Sequence, residues 1–185
     1  MKKTRIIVVF ALLLLIMSCS LVWAGTTVKL GFEPGGDLST NISGYTLGYG
    51  VDSGVSVAGE YLIALNDKVE VGGGLEYQLN RNVRGLETGF SFIPVYGMAK
   101  VKAPFSTGLN TYFTAKIGYN YLTLDEKVAG FDYGGGLYYG IGFGIDLNDK
   151  FTVDAEYAVH EGELGYILKQ PFDYSKVRFG VGYKF

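Results

Sequence analysis

The sequence predicts an all-β protein, a transmembrane antiparallel up-and-down β-barrel of about eight strands. Three observations lead to this prediction. Segments of about ten residues alternate apolar and polar side chains with period two, as strands with one apolar face do. Short connections between these segments alternate with longer ones. The composition is rich in glycine (28 residues), tyrosine (15) and phenylalanine (12), and only 18% of the residues are charged.

The amino terminus has the features of a secretory signal peptide over residues 1–24. A positively charged start, an apolar run and a small-residue cleavage pattern follow one another: Lys2, Lys3 and Arg5, then Ile6 to Met17, then Val22-Trp23-Ala24. The apolar run is shorter than the about 20 residues that a membrane-spanning helix needs. We therefore expect export, and a barrel domain over residues 25–185.

Processing at Cys19 is the alternative, because Ile16-Met17-Ser18-Cys19 loosely resembles a lipoprotein cleavage site. Cleavage after Ala24 removes three of the 16 basic residues and none of the 18 acidic ones, which leaves a net charge of −5. That charge excludes the basic footprint of a nucleic-acid-binding protein. Cleavage also removes the single cysteine, so neither disulfides nor a thiol-based metal site are expected.

The strands are predicted in chain order, each with one apolar and one polar face. Their ranges are Thr26–Glu33, Val55–Ala64, Val69–Gln78, Phe90–Lys102, Leu109–Leu122, Tyr133–Asp146, Phe151–His160 and Val177–Phe185. Leu38–Asp52 is either a long first loop or an early start of the second strand. A ninth strand would break the even number usual for bacterial single-chain barrels, so we merge this segment with its neighbour. Pro94 predicts a bulge or a strand end near the rim, because proline cannot donate to a ladder.

The connections fall into two groups. Leu65–Lys68 and Leu147–Lys150 share the sequence Leu-Asn-Asp-Lys and predict tight turns. Ala103–Gly108 is a third short connection. Longer loops are predicted at the opposite end, over Asn80–Gly89, Asp125–Asp132 and Glu161–Asp173. Short turns on one side and long loops on the other are typical of outer-membrane barrels.

A soluble barrel of the lipocalin type would show the same alternation with its apolar face inside. Two features favour the membrane barrel. The polar face is rich in glycine, whereas a soluble exterior needs dense charge. Large aromatic residues lie toward the strand ends of the apolar face, as in the aromatic girdles at bilayer interfaces. Glycine on the inner wall would leave room for long charged side chains.

Acidic and basic side chains occupy the predicted inward positions in similar numbers. An eight-stranded barrel is just wide enough for its own side chains, and an unpaired charge removed from water is costly. These positions therefore predict an interior salt-bridge network, with charges along a narrow water-filled lumen as the alternative. The predicted network consists of Lys29, Glu60, Glu70, Glu76, Lys100, Lys116, Asp154, Glu156, Arg178 and Lys184.

No catalytic, metal or cofactor site is predicted. His160 is the single histidine, and a lone histidine at a strand rim is more often an exposed polar residue than a catalyst. A triad stays open, because Asp154 and Glu156 share its face and Ser175 lies in a nearby segment. A second histidine or a cysteine, which most metal sites would need, is missing from the mature sequence.

The carboxy-terminal strand carries the most specific motif. Its residues alternate apolar and polar from Val177, and the chain ends on the aromatic Phe185. This strand resembles the closing strand of Gram-negative outer-membrane β-barrels. The whole mature chain is similar to the small eight-stranded group that includes OmpX, OmpW and the OmpA transmembrane domain.

This resemblance implies a location in the outer membrane, among its lipid and lipopolysaccharide. It implies that Tyr183 and Phe185 belong to the signal read by the barrel-assembly machinery, with periplasmic chaperones as partners during biogenesis. The implied role is structural or surface-interacting, and the alternative is a narrow passive channel for small or apolar solutes. A lipid-modifying enzyme is the remote alternative. We expect a monomer without a nucleic-acid partner.

Overall fold

The computed structural model describes residues 25–42, 45–85, 89–103, 110–124, 132–165 and 170–185. The predicted signal peptide with Cys19, and most of the connections Ala103–Gly108 and Asp125–Asp132, lie outside these residues. The described strands are β1 (Thr26–Glu33), β2 (Gly36–Ile42), β3 (Tyr45–Val51), β4 (Gly54–Ala64), β5 (Val69–Gln78), β6 (Arg81–Asn82), β7 (Gly89–Lys102), β8 (Asn110–Leu124), β9 (Asp132–Asp146), β10 (Phe151–Gly165) and β11 (Gln170–Lys184). Within the described ranges, no helix is long and apolar enough to span a membrane.

Eight of these strands close into an antiparallel ring in the order β1-β4-β5-β7-β8-β9-β10-β11. The last strand pairs back with the first, in a register that sets Thr27 opposite Lys184 and Phe32 opposite Phe179. A closed ring satisfies the backbone N–H and C=O groups of every strand within the sheet, which is the condition for crossing lipid. The predicted barrel and its strand number are confirmed.

The remaining three strands prolong the ring at one end. After Pro34-Gly35, β2 continues β1 and pairs with β11, and β3 returns beside β2 before it leads into β4. β6 continues β5 and pairs with β7. Leu38–Asp52 is thus an extension of the first two ring strands, and the alternative of a long first loop is wrong.

Two turns with the same sequence close hairpins on opposite sides of the ring. Asn66 Oδ1 accepts hydrogen bonds from the backbone N–H groups two and three residues ahead, both at 2.9 Å. Asn148 Oδ1 makes the same two bonds at 2.8 Å. The predicted tight turns are confirmed. We call this end of the barrel the turn end, and the opposite end the loop end.

The connections at the loop end are shorter than predicted. Strand structure extends into all three predicted loops, through β6 and the bridge residue Val83, through Asp132, and through Glu161–Gly165 with Gln170–Asp173. The sequence interpretation was wrong here because it required apolar side chains on the outward face. At the loop end this face changes its chemistry.

The two faces of the barrel exchange character along β10 and β11. Toward the turn end the outward positions are apolar, from Phe151 to Val159 and from Val177 to Phe185, whereas toward the loop end they include Glu161, Glu163 and Asp173. The inward positions of β11 change in the opposite sense, from Arg178 and Lys176 to the buried rings of Tyr174 and Phe172. The loop end therefore has an apolar inside and a polar outside.

A bulge lies opposite Pro94, in the chain between β5 and β6; the prediction of a bulge or strand end at Pro94 itself is wrong, because β7 pairs with β8 in one register throughout, with Pro94 opposite Asn120. The ladder between β5 and β7 stops at Val95 and resumes at Phe90, one residue out of register. Pro94 has no N–H to donate and falls in this gap. The irregularity turns Arg81 and Val83 inward, where both are buried.

Inward glycine makes room for large inward side chains, and this can be tested at Gly144. Gly144 is paired with Tyr112, and a Cβ added there would overlap the ring of Tyr112. That ring is fixed by a 2.5 Å hydrogen bond between its hydroxyl group and Thr152 Oγ1. We expect Gly144→Ala to lower the free energy of unfolding by about 1–3 kcal/mol, as overpacking does. Guanidinium unfolding of the protein refolded in lipid vesicles measures this loss.

Gly59→Ala is the matched control, because nothing lies within 4 Å of the position its Cβ would take. Equal stability of the Gly144 and Gly59 variants would show that the tyrosine ring is not tightly held.

Candidate functional site

The barrel interior is divided into three layers along the axis. At the turn end lies the inner cluster: Glu70, Lys100, Lys102, Asp146 and Lys184. In the middle lies the central network: Lys29, Glu33, Glu60, Glu76, Arg81, Lys116, Asp154, Glu156, Lys176 and Arg178. At the loop end lies the apolar plug: Val51, Val83, Phe90, Phe92, Leu122, Phe172 and Tyr174.

Arg178 is the centre of the central network. Its Nη1 donates to Glu76 Oε2 at 3.2 Å, and its Nη2 donates to Asp154 Oδ1 at 3.3 Å and to Glu156 Oε2 at 3.1 Å. One guanidinium thus joins carboxylates from β5 and β10, and its side chain is fully buried. Gly31 on the neighbouring strand makes this possible, since a Cβ there would overlap the Arg178 stem.

Lys116 and Lys29 extend the network toward the turn end. Lys116 Nζ lies 2.7 Å from Glu60 Oε1 and 2.7 Å from Glu156 Oε2. The same ammonium lies 4.6 Å from the centre of the Tyr96 ring, a cation–π distance. Lys29 Nζ lies 2.9 Å from Glu60 Oε2, so Glu60 is shared by two lysines.

Lys176 and Arg81 extend the network toward the apolar plug. Lys176 Nζ bridges Glu33 Oε1 at 3.0 Å and Glu76 Oε1 at 2.8 Å. Arg81 Nη2 lies 3.2 Å from Glu33 Oε2, and its Nη1 donates to the Tyr174 hydroxyl at 2.8 Å. Tyr174 is a plug residue, so charged and apolar layers are joined by a direct hydrogen bond.

The central network is balanced in charge. It contains five carboxylates and five cations, and none of their side chains is more than 7% exposed. Removing one member would leave a buried charge without its counterion, which is far more costly than losing an exposed ion pair.

The inner cluster is more open to solvent. Lys100 Nζ lies 3.2 Å from Asp146 and 3.7 Å from Glu70, over the ring of Tyr112. Lys102 and Lys184 pair with the same two carboxylates from the rim. A cavity of about 500 Å³ opens beside the cluster, lined by Asp67, Lys68, Lys102, Asn110, Thr111, Asp146, Asn148, Asp149 and Lys184.

His160 lies between the central network and the apolar plug and is fully buried. The expectation of an exposed polar residue was therefore wrong. Its Nδ1 donates to Asn120 Oδ1 at 2.7 Å, and its Nε2 accepts from the Gln78 amide at 3.0 Å. The ring stacks on Phe92 with centroids 5.0 Å apart. These contacts hold a neutral imidazole in one tautomer as a structural junction.

The residues of the open triad hypothesis are not brought together. Ser175 is paired with Val159, so it faces outward while His160 faces inward. Asp154 is engaged by Lys29 and Arg178. The described part of the chain also contains no group of acidic, histidine and cysteine side chains suited to a metal ion.

The structure places all ten predicted network residues on the interior, where each makes at least one ion pair. Seven lie in the central network, and Glu70, Lys100 and Lys184 lie in the inner cluster. Tyr183 and Phe185 form a ring pair at the turn end, with centroids 4.8 Å apart. Their role as an assembly signal stays a prediction.

Three members of the central network, Glu33, Arg81 and Lys176, are absent from the ten predicted residues. Glu33 was assigned to the inward face of its strand by the same alternation as Lys29, so only Arg81 and Lys176 were missed as inward residues. Lys176 stands two residues before Arg178, so extending the alternation by one step would have found it. Arg81 gave no such signal, because the bulge before it shifts the alternation. The amides of Gln78 and Asn120 were also missed, since an amide at an inward position does not reveal a histidine partner on another strand.

The comparisons with known proteins agree with this architecture. Residues 10–185 match the family described as outer membrane protein beta-barrel domain. Solved structures with a similar fold include neisserial surface protein A (15% identity, TM-score 0.51, 88% of this chain and 98% of that chain) and OprG from Pseudomonas aeruginosa (18%, 0.51, 88% and 97%). Ail from Yersinia pestis is similar to the same degree (16%, 0.50, 88% and 99%). At these identities the likeness concerns the fold alone, and no curated protein sequence matches the chain.

The charge balance of the central network can be tested at Arg178. We expect Arg178→Met to lower the free energy of unfolding by about 3–5 kcal/mol, because three buried carboxylates lose their shared cation. Lys102→Met is the matched control, since this rim lysine is 38% exposed and its removal should cost at most about 1 kcal/mol. Guanidinium unfolding in lipid vesicles measures both losses. Equal losses for the two variants would contradict a charge-balanced central unit.

Proposed function

We propose, since this chain belongs to the outer membrane protein beta-barrel domain family, that it is a sealed outer-membrane barrel with a structural or surface-interaction role. Membership of the family places the protein in the outer membrane. In this role the filled interior stabilises the barrel, and the loop end makes contacts outside the cell. Lipid and lipopolysaccharide are its expected surroundings, and a monomer its expected state.

The observation that supports this proposal is that two successive layers of side chains fill the interior. The central network closes the middle of the barrel with side chains at most 7% exposed, and the apolar plug closes the loop end with side chains at most 9% exposed. An ion on its way through would have to separate buried ion pairs in one layer and enter a hydrocarbon environment in the next. Both steps are costly.

The loop end supports a role in surface contact. Its inside is apolar and its outside carries acidic side chains such as Glu161 and Asp173, which is the pattern of a sheet surrounded by water. Ladder pairing persists up to Leu164 and Gln170. Hydrogen-bonded strands of this length would present a stiff platform beyond the lipid.

A narrow passive channel is the second candidate, and the cavity of about 500 Å³ at the turn end favours it. Such a cavity could serve as the entrance of a pore whose opening needs the inner cluster to rearrange. Lys100 and Tyr112, both buried, line a second and much smaller cavity, which shares Lys184 with the first.

Conductance in a planar bilayer tests the sealed barrel against the channel. We expect wild-type protein, shown to be folded by its heat-shifted gel mobility, to give no discrete conductance steps, because two filled layers lie in series. The Phe92→Ala variant should stay equally silent, since the central network remains beneath the plug. Discrete conductance steps from the folded wild-type barrel would contradict a sealed interior and favour the channel.

We also propose that the barrel has no enzymatic activity, on the ground that His160 is held by Gln78 and Asn120 inside the barrel. Lipid A from cells expressing wild-type protein should therefore have the same mass spectrum as lipid A from cells with the empty vector. The His160→Ala variant should give that spectrum too. A modified lipid A species that is present with wild-type protein and absent with the His160→Ala variant would contradict the proposal.

A further inference from the structure

A small cavity lies inside the barrel between the inner cluster and the central network. It offers about 10 Å³ for the centre of a water-sized sphere, which is close to the least volume that holds one water molecule. Lys29 and Glu60 of the central network line it, together with Lys100 and Lys184 of the inner cluster. Lys184 also lines the larger cavity at the turn end, so a small solute can approach from that side. We call this space the small cavity.

The buried charges of the barrel are not balanced at this level. The central network contains five carboxylates and five cations. The inner cluster contains three lysines, Lys100, Lys102 and Lys184, but two carboxylates, Glu70 and Asp146. Together the two layers therefore have one cation more than they have anions. A charge that is withdrawn from water is costly without a counterion.

The aspartates of the two tight turns do not supply the missing anion. Asp67 and Asp149 are exposed, and each is followed by an exposed lysine of the same turn, Lys68 or Lys150. Within the described ranges, neither aspartate forms an ion pair with a lysine of the inner cluster. The turns thus add charges of both signs in equal number, and the surplus cation remains.

The wall of the small cavity carries this surplus. The described residues that line it include three lysines, Lys29, Lys100 and Lys184, and one acid, Glu60. The Glu60 carboxylate is already neutralised, because its Oε1 lies 2.7 Å from Lys116 Nζ and its Oε2 lies 2.9 Å from Lys29 Nζ. An ammonium group has three N–H donors, and among the described residues Lys100 Nζ donates one hydrogen bond, to Asp146 Oδ2 at 3.2 Å. Donors are therefore left for a further acceptor.

Two threonine hydroxyl groups complete the polar wall. Thr27 is paired with Lys184 across one ladder, and Thr114 is paired with Lys100 across another. Both threonines line the small cavity and both are buried. Within the described part of the chain, neither hydroxyl group has a hydrogen-bond partner. Each keeps an O–H that can donate to an acceptor in the cavity.

We propose that the small cavity is a binding site for one chloride ion, which is the missing counterion of the inner cluster. Lys100 and Lys184 supply the positive charge, and Thr27 and Thr114 supply hydroxyl donors. A halide is the occupant because the surplus is one charge and the space is that of one water molecule. Phosphate, sulfate and carboxylate groups are too large for this space, and a water molecule would leave the charge uncompensated. The site does not rest on the sealed-barrel role.

Urea unfolding of the mature chain refolded in lipid vesicles tests the site, because urea brings no chloride. The salt is held at about 200 mM, so that screening stays constant, while sodium gluconate is replaced by sodium chloride. Gluconate is too large for the small cavity. We expect chloride to lower the equilibrium constant of unfolding of the wild type about tenfold, since a ligand that binds the folded state alone stabilises it. Sodium bromide should act like sodium chloride.

Thr114→Val is the first variant, because it removes a hydroxyl donor, keeps the side-chain shape and breaks no hydrogen bond within the described chain. The chloride effect should fall below about twofold, since a hydrogen bond to a charged group is lost. Thr46→Val is the matched control, because it makes the same change on the exposed strand β3 and should keep the wild-type effect. Lys184→Met removes the surplus cation, so its stability should not depend on chloride.

Crystals of the wild-type protein grown with sodium bromide locate the ion directly. We expect an anomalous-scattering peak in the small cavity, within hydrogen-bonding distance of Lys100 Nζ and Thr114 Oγ1. Crystals of the Thr114→Val variant grown in the same way should show no such peak. This measurement does not depend on how the variants unfold.

Three results would overturn the proposal. The first is equal wild-type stability in chloride and gluconate. The second is an equal chloride effect in the Thr114→Val and Thr46→Val variants, which would reveal a general effect of the salt on protein or lipid. The third is a cavity that holds only water in the bromide crystals. A silent barrel without a chloride effect would lose the anion site alone, and a conducting barrel that binds bromide would lose the sealed role alone.

Discussion

The pairing of inward charges is the constraint on which the rest of the structure depends. A ring of eight strands leaves little room for water around its side chains, so each buried charge must meet its partner directly. Glycine opposite long side chains provides the space, and tyrosine provides further donors: Tyr96 and Tyr138 donate their hydroxyl groups to Glu60 and Glu156 at 3.1 and 2.9 Å. Acids and bases alternate in arcs around the ring: β4 and β5 supply acids, β7 and β8 bases, β10 acids and β11 bases. The ion pairs between these arcs tie distant strands together across the axis.

The junction between charged and apolar layers coincides with an irregularity of the sheet. The register between β9 and β10 shifts just above His160. Asn120 accepts from His160 and donates its amide to the carbonyl groups of Gly136, Leu137 and Glu161, at 3.1, 3.3 and 2.7 Å. One asparagine thus satisfies backbone groups that the slipped ladder leaves free and fixes the histidine that separates the two layers. The same side chains therefore satisfy the free backbone groups and form the boundary between the charged and the apolar layer.

The sequence was sufficient for the part of the barrel that has an apolar outside. There the alternation from Val177 to Phe185, or from Val69 to Gln78, identified strand, face and inward charge at once. It was insufficient at the loop end, because Glu161 and Asp173 stand outside and Phe172 and Tyr174 inside, which reverses the expected pattern. Arg81 was hidden by a bulge. Which acid meets which base depends on the register around the whole ring, and no local pattern contains that information.

The reversal of the faces also determines how deep the protein sits in its membrane. If the barrel sank by a few ångströms, Glu161 and Asp173 would enter hydrocarbon. If it rose, the apolar belt that contains Ile141 and Phe179 would meet water on the loop-end side. Either displacement is penalised, so the barrel has one preferred immersion depth, and the bilayer surface crosses β10 between Tyr157 and Glu161.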